Sequence, residues 1–412
     1  MTGEENNLTY DKRYILKRKV KAFFYSILFY VCRIFPIDKN KIVFWTFEGS
    51  RGFCCNPRYI AEEVLKRNKL DKGNWKLVWL ADDIGTQFPE EIIRVKNTLW
   101  NRVYQLSTAK CWVGNSRTLY GTKKRKNQIY IQTWHGTICI KPIGKYRGNL
   151  FPPIAYLVSD ADSKLTDYVL SGSGWCDIHY RDGLVYSGTI IRTGTPRCDI
   201  LIYKKDELRS QIRKIYGIPE DGNILLYAPT FRGGSQLTKR AVERGESTIN
   251  FKELLCSLEQ KFGGQWFIFV RLHPQLAADN QHFEIQGSLN KILDVTDHSD
   301  MNELIAAADA FITDYSSAIF EAAIIRIPCF IFAYDLKMYI KSRGDLFFDM
   351  YKLPFPIALK MEELIRNIAE FDMKIFIRDV DSFMKEEDVT EDGHASERTV
   401  DLIESTVMIK EK

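Results

Sequence analysis

Short, nearly continuous apolar runs recur along the chain, and many are followed by a stretch with helical spacing. Runs at 42–47, 77–80, 111–114, 129–132, 168–171 and 190–193 read as one series of buried strands. Runs at 224–228, 266–270, 292–295, 310–313 and 329–332 read as a second series. Between them, 58–67, 251–262, 301–308 and 318–325 carry apolar residues three and four apart, the spacing of helices packed on a sheet. Strand–helix alternation over this length predicts parallel sheets and an α/β protein. Two successive series predict two such domains, dividing within 194–205, with ligand sites at the carboxyl ends of strands and in the cleft between domains. The polar, glycine-containing stretch 233–248 reads as a mobile loop, and the acidic stretch 386–397 as solvated.

The N-terminus departs from this pattern. Residues 12–21 contain six basic side chains and no acid, and 22–32 (AFFYSILFYVC) carry no charge. Eleven residues are too few to span a bilayer. Residues 14–35 therefore read as a basic, aromatic-rich helix lying on an anionic membrane surface. The other reading is a terminal helix packed on the core.

Composition narrows the class. A chain of 412 residues that is 45% hydrophobic and 27% charged is folded and can bury a large core. The net charge of +5 conceals an asymmetry: residues 1–150 hold 28 Lys/Arg against 12 Asp/Glu, or 28 − 12 = +16. The stretch 92–159 has 12 basic residues and no Asp or Glu, so this half is expected to face an anionic partner. Nine scattered cysteines with no C-x-x-C pair fit a reducing compartment better than a disulfide framework or a zinc site.

Several strand exits carry candidate chemistry. Gln132-Thr-Trp-His-Gly-Thr137 places His135 beside a glycine that admits close backbone approach. Such a histidine reads either as a general base or phosphate donor or as a satisfied structural residue. In Val270-Arg-Leu-His-Pro274, Arg271 and His273 alternate about Leu272 and can face one phosphate, or form a structural pair. In Ile312-Thr-Asp-Tyr-Ser-Ser-Ala-Ile-Phe-Glu321, Ser316 and Ser317 open a helix, as an anion site or as ordinary caps. Glu321 lies one turn on, where it could accept from a ribose or polyol hydroxyl. Ala228-Pro-Thr-Phe-Arg232 and Gly194-Thr-Pro-Arg-Cys-Asp199 are weaker signals that read as turns. Neither common glycine-rich nucleotide loop occurs, and no carboxylate pair stands out as a metal clamp, so neither metal nor cofactor is expected.

Taken in order, Asn56-Pro-Arg-Tyr-Ile60, QTWHGT, GTPRCD, YAPTFR, RLHP and ITDYSSAIFE, followed by Ala333-Tyr-Asp335 and Gly344, resemble the CDP-glycerol glycerophosphotransferases that build teichoic-acid-type polymers. The resemblance covers residues 40–350. It implies a GT-B fold of two Rossmann-like domains, preceded by the membrane-surface helix. The implied bounds are a membrane-association segment at 1–40, an acceptor domain at 41–200, a CDP-polyol-binding domain at 201–375 and a helical tail at 376–412. It implies transfer of a polyol phosphate, glycerol phosphate foremost, from a CDP-polyol to a hydroxyl of a lipid-linked glycan or polyol-phosphate acceptor, with release of CMP. The setting would be teichoic-acid-like or capsular polymer synthesis at the cytoplasmic face of a bacterial membrane.

By the same resemblance His135 is the catalytic base and His273 is catalytic as well. Trp134, Gly136, Thr137 and Ile138 line the substrate pocket, and Arg197 is its arginine. Pro229 and Thr230 line the nucleotide, Arg271 and Leu272 lie at the phosphates, and Ser316, Ser317 and Glu321 complete the donor site. Two positions depart from the family pattern: Ile138 stands where proline is usual, and Glu321 where aspartate is frequent. The alternative function is a GT-B glycosyltransferase using a nucleotide sugar. A nucleic-acid partner is not expected, because no binding signature accompanies the basic half. One copy of the N-terminal helix is a weak anchor, which makes a homo-oligomer a candidate assembly.

Overall fold

The structure is a computed structural model and describes residues 11–71, 73–85, 87–230, 232–233, 242–243, 249–272 and 290–409. These fall into two compact units, one holding 11–137, 143–199 and 389–409, the other 138–142 and 200–388.

The first unit is built on a seven-stranded parallel sheet. Its strands are β1 (Asp38–Trp45), β2 (Lys76–Ala81), β3 (Ile93–Lys96), β4 (Ala109–Gly114), β5 (Ile129–Gln132), β6 (Tyr168–Ser171) and β7 (Thr189–Arg192). The spatial order is β3-β2-β1-β4-β5-β6-β7, so the direction of winding reverses between β1 and β4. Both faces of the central strands are buried, as their unbroken apolar runs require. On one face Ile42, Phe44, Trp79 and Val113 pack with Ile60 and Val64 of the helix Cys55–Lys69 and with Val400 and Ile403 of the helix Ala395–Ile409. On the other face Val43, Trp45 and Trp112 pack with Tyr25 and Phe29 of the helix Lys12–Val31 and with Val103 and Leu106 of the helix Leu99–Thr108. Gly114 is required at the end of β4, where a Cβ would come within 2.2 Å of the Trp45 ring.

The N-terminal helix has one face packed on the sheet and one apolar face left exposed. Ala22, Tyr25, Ser26 and Phe29 are buried. Leu16, Val20, Phe23, Phe24, Ile27 and Tyr30 remain exposed. Among the described residues no helix is long and apolar enough to cross a membrane.

The second unit starts its sheet with β8 (Asn223–Tyr227). A short antiparallel ribbon, β9 (Arg232–Gly233) with β10 (Val242–Glu243), follows. The sheet continues with β11 (Trp266–Val270), β12 (Ile292–Asp294), β13 (Ala310–Thr313), β14 (Cys329–Phe332) and β15 (Ile357–Ala358). All its pairings are parallel, in the order β12-β11-β8-β13-β14-β15, with the reversal between β8 and β13. Each unit thus has a doubly wound sheet, and in such sheets ligands bind beyond the strand carboxyl ends at the point of reversal.

Most of 233–248 lies outside the described residues. The acidic stretch 386–397 is not wholly solvated: Gly393, Ala395 and Ser396 are buried, and Glu391 turns inward. The last two helices divide between the units, Met373–Glu386 with the second and Ala395–Ile409 with the first.

Candidate active site

At the reversal point of the first sheet, the chain leaves β1 through Thr46-Phe47 and β4 through Asn115-Ser116, and Thr133–Thr137 follows β5 alongside. Asn115 joins the three exits. Its Oδ1 accepts from the Phe47 amide at 2.7 Å, and its carbonyl lies 3.1 Å from Nδ1 of His135. A carbonyl can only accept, so Nδ1 carries the proton and Nε2 is the basic nitrogen of the neutral ring. The His135 ring stacks on Trp134 at 4.4 Å between centroids, with Phe47 5.5 Å away. Arg117 packs its guanidinium over the Trp134 ring at 5.2 Å.

This loop is held at every carbonyl. Asn56, fully buried, donates from Nδ2 to Thr133 O (3.3 Å) and Trp134 O (3.0 Å). Arg197 Nη2 donates to His135 O at 3.4 Å. Tyr180 Oη donates to Gly136 O, and Ser173 Oγ to Thr137 O, each at 2.7 Å. Such bracing is needed, because Trp134 has φ +48°, a left-handed conformation that costs an aromatic residue on the order of 1–3 kcal/mol. Strain of this kind persists only where the surroundings over-determine it. Arg197 is fixed in turn: its amide donates to Asn56 Oδ1 at 3.0 Å and its Nη1 to Cys55 Sγ at 3.3 Å. The first unit thus brings together Trp134, His135, Gly136, Thr137 and Arg197. The Thr137 hydroxyl points inward, 2.9 Å from both Thr195 Oγ1 and Glu391 Oε1.

The second unit assembles the other candidates around its own reversal point. Pro229 and Thr230 leave β8, and Asp314 leaves β13. Asp314 accepts from the Thr230 amide (2.9 Å) and hydroxyl (3.1 Å). Arg232 bridges Asp314 (2.8 Å) and Asp335 (2.6 Å). Its guanidinium packs over Tyr315, Tyr334 and Tyr339, and Tyr315 Oη donates to Asp335 at 2.8 Å. Burial opposes the charge on Arg232, but Asp335 and Asp314 push its pKa up, so this cage is a permanent ion cluster. Ser316 and Ser317 come next and lead into the helix Ala318–Ile324. Ser317 Oγ accepts from the Ile140 amide at 3.4 Å, which sets the segment 138–142 against the serine pair. Ile138 is buried there, and burial lowers the pKa of neighbouring Lys141 against the pull of Asp314. Arg271 follows β11, with Nη2 on the His298 carbonyl at 2.9 Å, and the Leu272 amide is tied to Thr296 Oγ1 at 3.0 Å. Glu321 is buried within its helix. His273 lies outside the described residues. Among those described, no group of three or more His, Cys, Asp or Glu side chains is placed to hold a metal ion.

Residues 27–405 match the family of CDP-glycerol:poly(glycerophosphate) glycerophosphotransferases. The chain belongs to that family. Its chemistry is accordingly polyol-phosphate transfer from a CDP-linked donor. It is 29% identical over 395 residues to the teichoic acid poly(glycerol phosphate) polymerase of Bacillus spizizenii, covering 93% of this chain and 97% of that one. With the corresponding polymerase of Bacillus subtilis strain 168, identity is 27% over 410 residues, which is 94% of this chain but only 52% of the relative. The structure of the wall teichoic acid polymerase TagF superposes with a TM-score of 0.79 at 25% identity, over 98% of this chain and 100% of that one.

Within a glycerophosphotransferase of this family, the motif residues stand out in the sequence as candidates, and the residues that hold them do not. Asn115, Ser173, Tyr180 and Glu391 lie in segments without chemical patterning, and Asp314 lies inside the ITDYSS segment without drawing a role there. The only signal for Asp314 is its place between strand and serine pair.

The acid-free stretch is only partly a surface feature. Arg102 and Lys110 are buried, and Arg125 donates to Phe35 O at 2.9 Å. Part of that surplus is therefore built into the first unit and does not face a partner.

Proposed function

We propose that the protein transfers a polyol phosphate, glycerol phosphate foremost, from a CDP-polyol to a hydroxyl of a membrane-linked acceptor, releasing CMP, in teichoic-acid-type polymer synthesis. The observation that carries this reading is the His135 loop: a fixed tautomer on a loop braced at each carbonyl. In the reaction the acceptor hydroxyl oxygen attacks the β-phosphorus, and its proton passes to Nε2 of His135. The bond from that phosphorus to the bridging oxygen breaks, and CMP leaves without needing a proton. Arg197, Arg271, His273 and the amides at Ser316–Ser317 offset the charge that develops on phosphate oxygens. Pro229 and Thr230 border the nucleotide, with Leu272 beside the phosphates. Trp134, Gly136, Thr137 and Ile138 shape the substrate pocket, and Glu321 sets the polyol end.

The fold under this reading is GT-B, with the acceptor on 41–200 and the donor on 201–375. The protein works as a peripheral protein at the cytoplasmic face of the membrane. In support, Phe23 and Phe24 of the N-terminal helix are 64% and 63% exposed beside a basic run.

The test is CMP release from CDP-glycerol or CDP-ribitol with a lipid-linked acceptor. Acceptor-dependent release with one donor is expected, and His135→Ala should lower the rate by at least about 100-fold. Full activity in that variant removes His135 as the base. Turnover of a nucleotide sugar instead of either CDP-polyol would make the protein a glycosyltransferase.

A further inference from the structure

Beyond the motif residues, a side chain from the C-terminal segment reaches Thr137 and Thr195, beside His135 and Arg197. Residues 389–391 run back over the exit of β6: Val389 bridges Ser173, and the Thr390 amide donates to Gly172 O at 2.8 Å. This aims Glu391 at the exits of β5 and β7. Its Oε1 is 2.9 Å from Thr137 Oγ1, and the Thr195 amide donates to Oε1 at 3.1 Å and Oε2 at 3.0 Å. Space is reserved for it. A Cβ on Gly172 would lie 2.4 Å from Glu391 Oε1 and from Thr195 Oγ1, so a larger residue there would push the carboxyl out of place. Thr137 is two residues after His135, and Thr195 two before Arg197.

We propose that Glu391 is a positioning residue for the transfer reaction, its carboxyl locking the segment that carries His135 to the segment that carries Arg197. The catalytic consequence rests on the function proposed above; the lock itself does not. Burial pushes the Glu391 carboxyl up to about 8, so at neutral pH it is mainly the neutral acid. The charged groups facing it are Asp199, which acts in the same direction, and Arg398 of the helix Ala395–Ile409. As a neutral acid it accepts from the Thr195 amide on Oε2 and donates from Oε1 to Thr137 Oγ1. The Thr137 hydroxyl then donates to Thr195 Oγ1, 2.9 Å away, and the two segments are joined twice. Glutamine reproduces this pattern, amide oxygen for carbonyl and amide N–H for O–H. Alanine does not.

Two measurements on the full-length protein test the lock. In CMP release, Glu391→Ala should lower kcat about tenfold or more with KM for CDP-glycerol within about twofold, and Glu391→Gln should stay within about threefold of the parent. The parent should also lose kcat as pH rises through about 8, a limb absent from Glu391→Gln. In hydrogen exchange, Glu391→Ala should speed exchange of peptides covering 133–137 and 194–198, and Glu391→Gln should not. Unchanged exchange in the alanine variant overturns the lock, and so does a glutamine variant as impaired as alanine. If the parent releases no CMP from either CDP-polyol, the proposed function fails and exchange alone decides the lock.

Discussion

Replacing Asn56 by Asp tests whether the bracing of the His135 loop matters for transfer or only for folding. The two side chains have nearly the same shape, and Asp keeps the acceptor that holds the Arg197 amide at 3.0 Å. The substitution removes the Nδ2 donor and aims an oxygen at two carbonyls, Thr133 O and Trp134 O. Two lost hydrogen bonds at ~1 kcal/mol each, plus ~1–3 kcal/mol for an unpartnered buried acceptor, give a loss on the order of 3–5 kcal/mol. Urea unfolding at neutral pH measures it. The catalytic loss should exceed what the unfolded fraction explains. Without the Asn56 brace, Trp134 can relax from φ +48° and turn His135 with it. With His135 as the proposed base, a displacement of about 1 Å there should cost about 100-fold in kcat. Lowering pH should restore part of both, because a protonated Asp regains one donor. A variant destabilised by about 3–5 kcal/mol but within tenfold of the parent kcat would show that the brace serves folding alone. A variant with parental stability would refute the hydrogen-bond accounting.

Two further perturbations probe other parts of the chain. Lys41 is 5% exposed, and burial, aided by Lys76, lowers its pKa to about 8, while its ammonium donates to Thr108 Oγ1 at 2.8 Å. Between about 8 and the unfolded value near 10.5 the unfolded chain binds more protons, so stability should rise with pH across that window. Lys41→Met should abolish that rise and add about 1–3 kcal/mol at neutral pH; a destabilised variant would show that the Thr108 bond outweighs desolvation. On the exposed face of the N-terminal helix, replacing Phe23 and Phe24 by Glu should release the protein from phosphatidylglycerol vesicles in a sedimentation assay, with the melting temperature unchanged. Undiminished binding would place the membrane contact elsewhere.

What could be read from the chain follows from how each element is buried. All eleven apolar runs are strands of the two sheets, and the central strands, covered on both faces, leave the longest unbroken apolar stretches. The edge strand β3 (Ile-Arg-Val-Lys) left no apolar run because charged residues alternate with its two apolar ones, and β15 because it has only two residues. The helix Leu99–Thr108 sits in a basic stretch that drew attention to charge, although Val103 and Leu106 form its packed face. The same division runs through the site. His135, Arg197, Ser316 and Ser317 stand at strand exits where topology concentrates chemistry, so local context marked them. Asn115, Tyr180 and Glu391 act through main-chain atoms of distant segments, and nothing beside them in sequence reports that. Glu391 was concealed further by its neighbours: in a run with Glu386, Glu387, Asp388 and Asp392, a carboxylate reads as solvated. The cue available was the glycine pattern. Gly172 and Gly194 follow β6 and β7, and a Cβ on the first would collide with Glu391 Oε1 and on the second would crowd Thr390 O. Glycines at successive strand exits mark places where something from elsewhere in the chain must come close. In this protein that partner is the C-terminal segment, so the last helix and its leading loop are built into the first unit at the strand exits that carry His135 and Arg197.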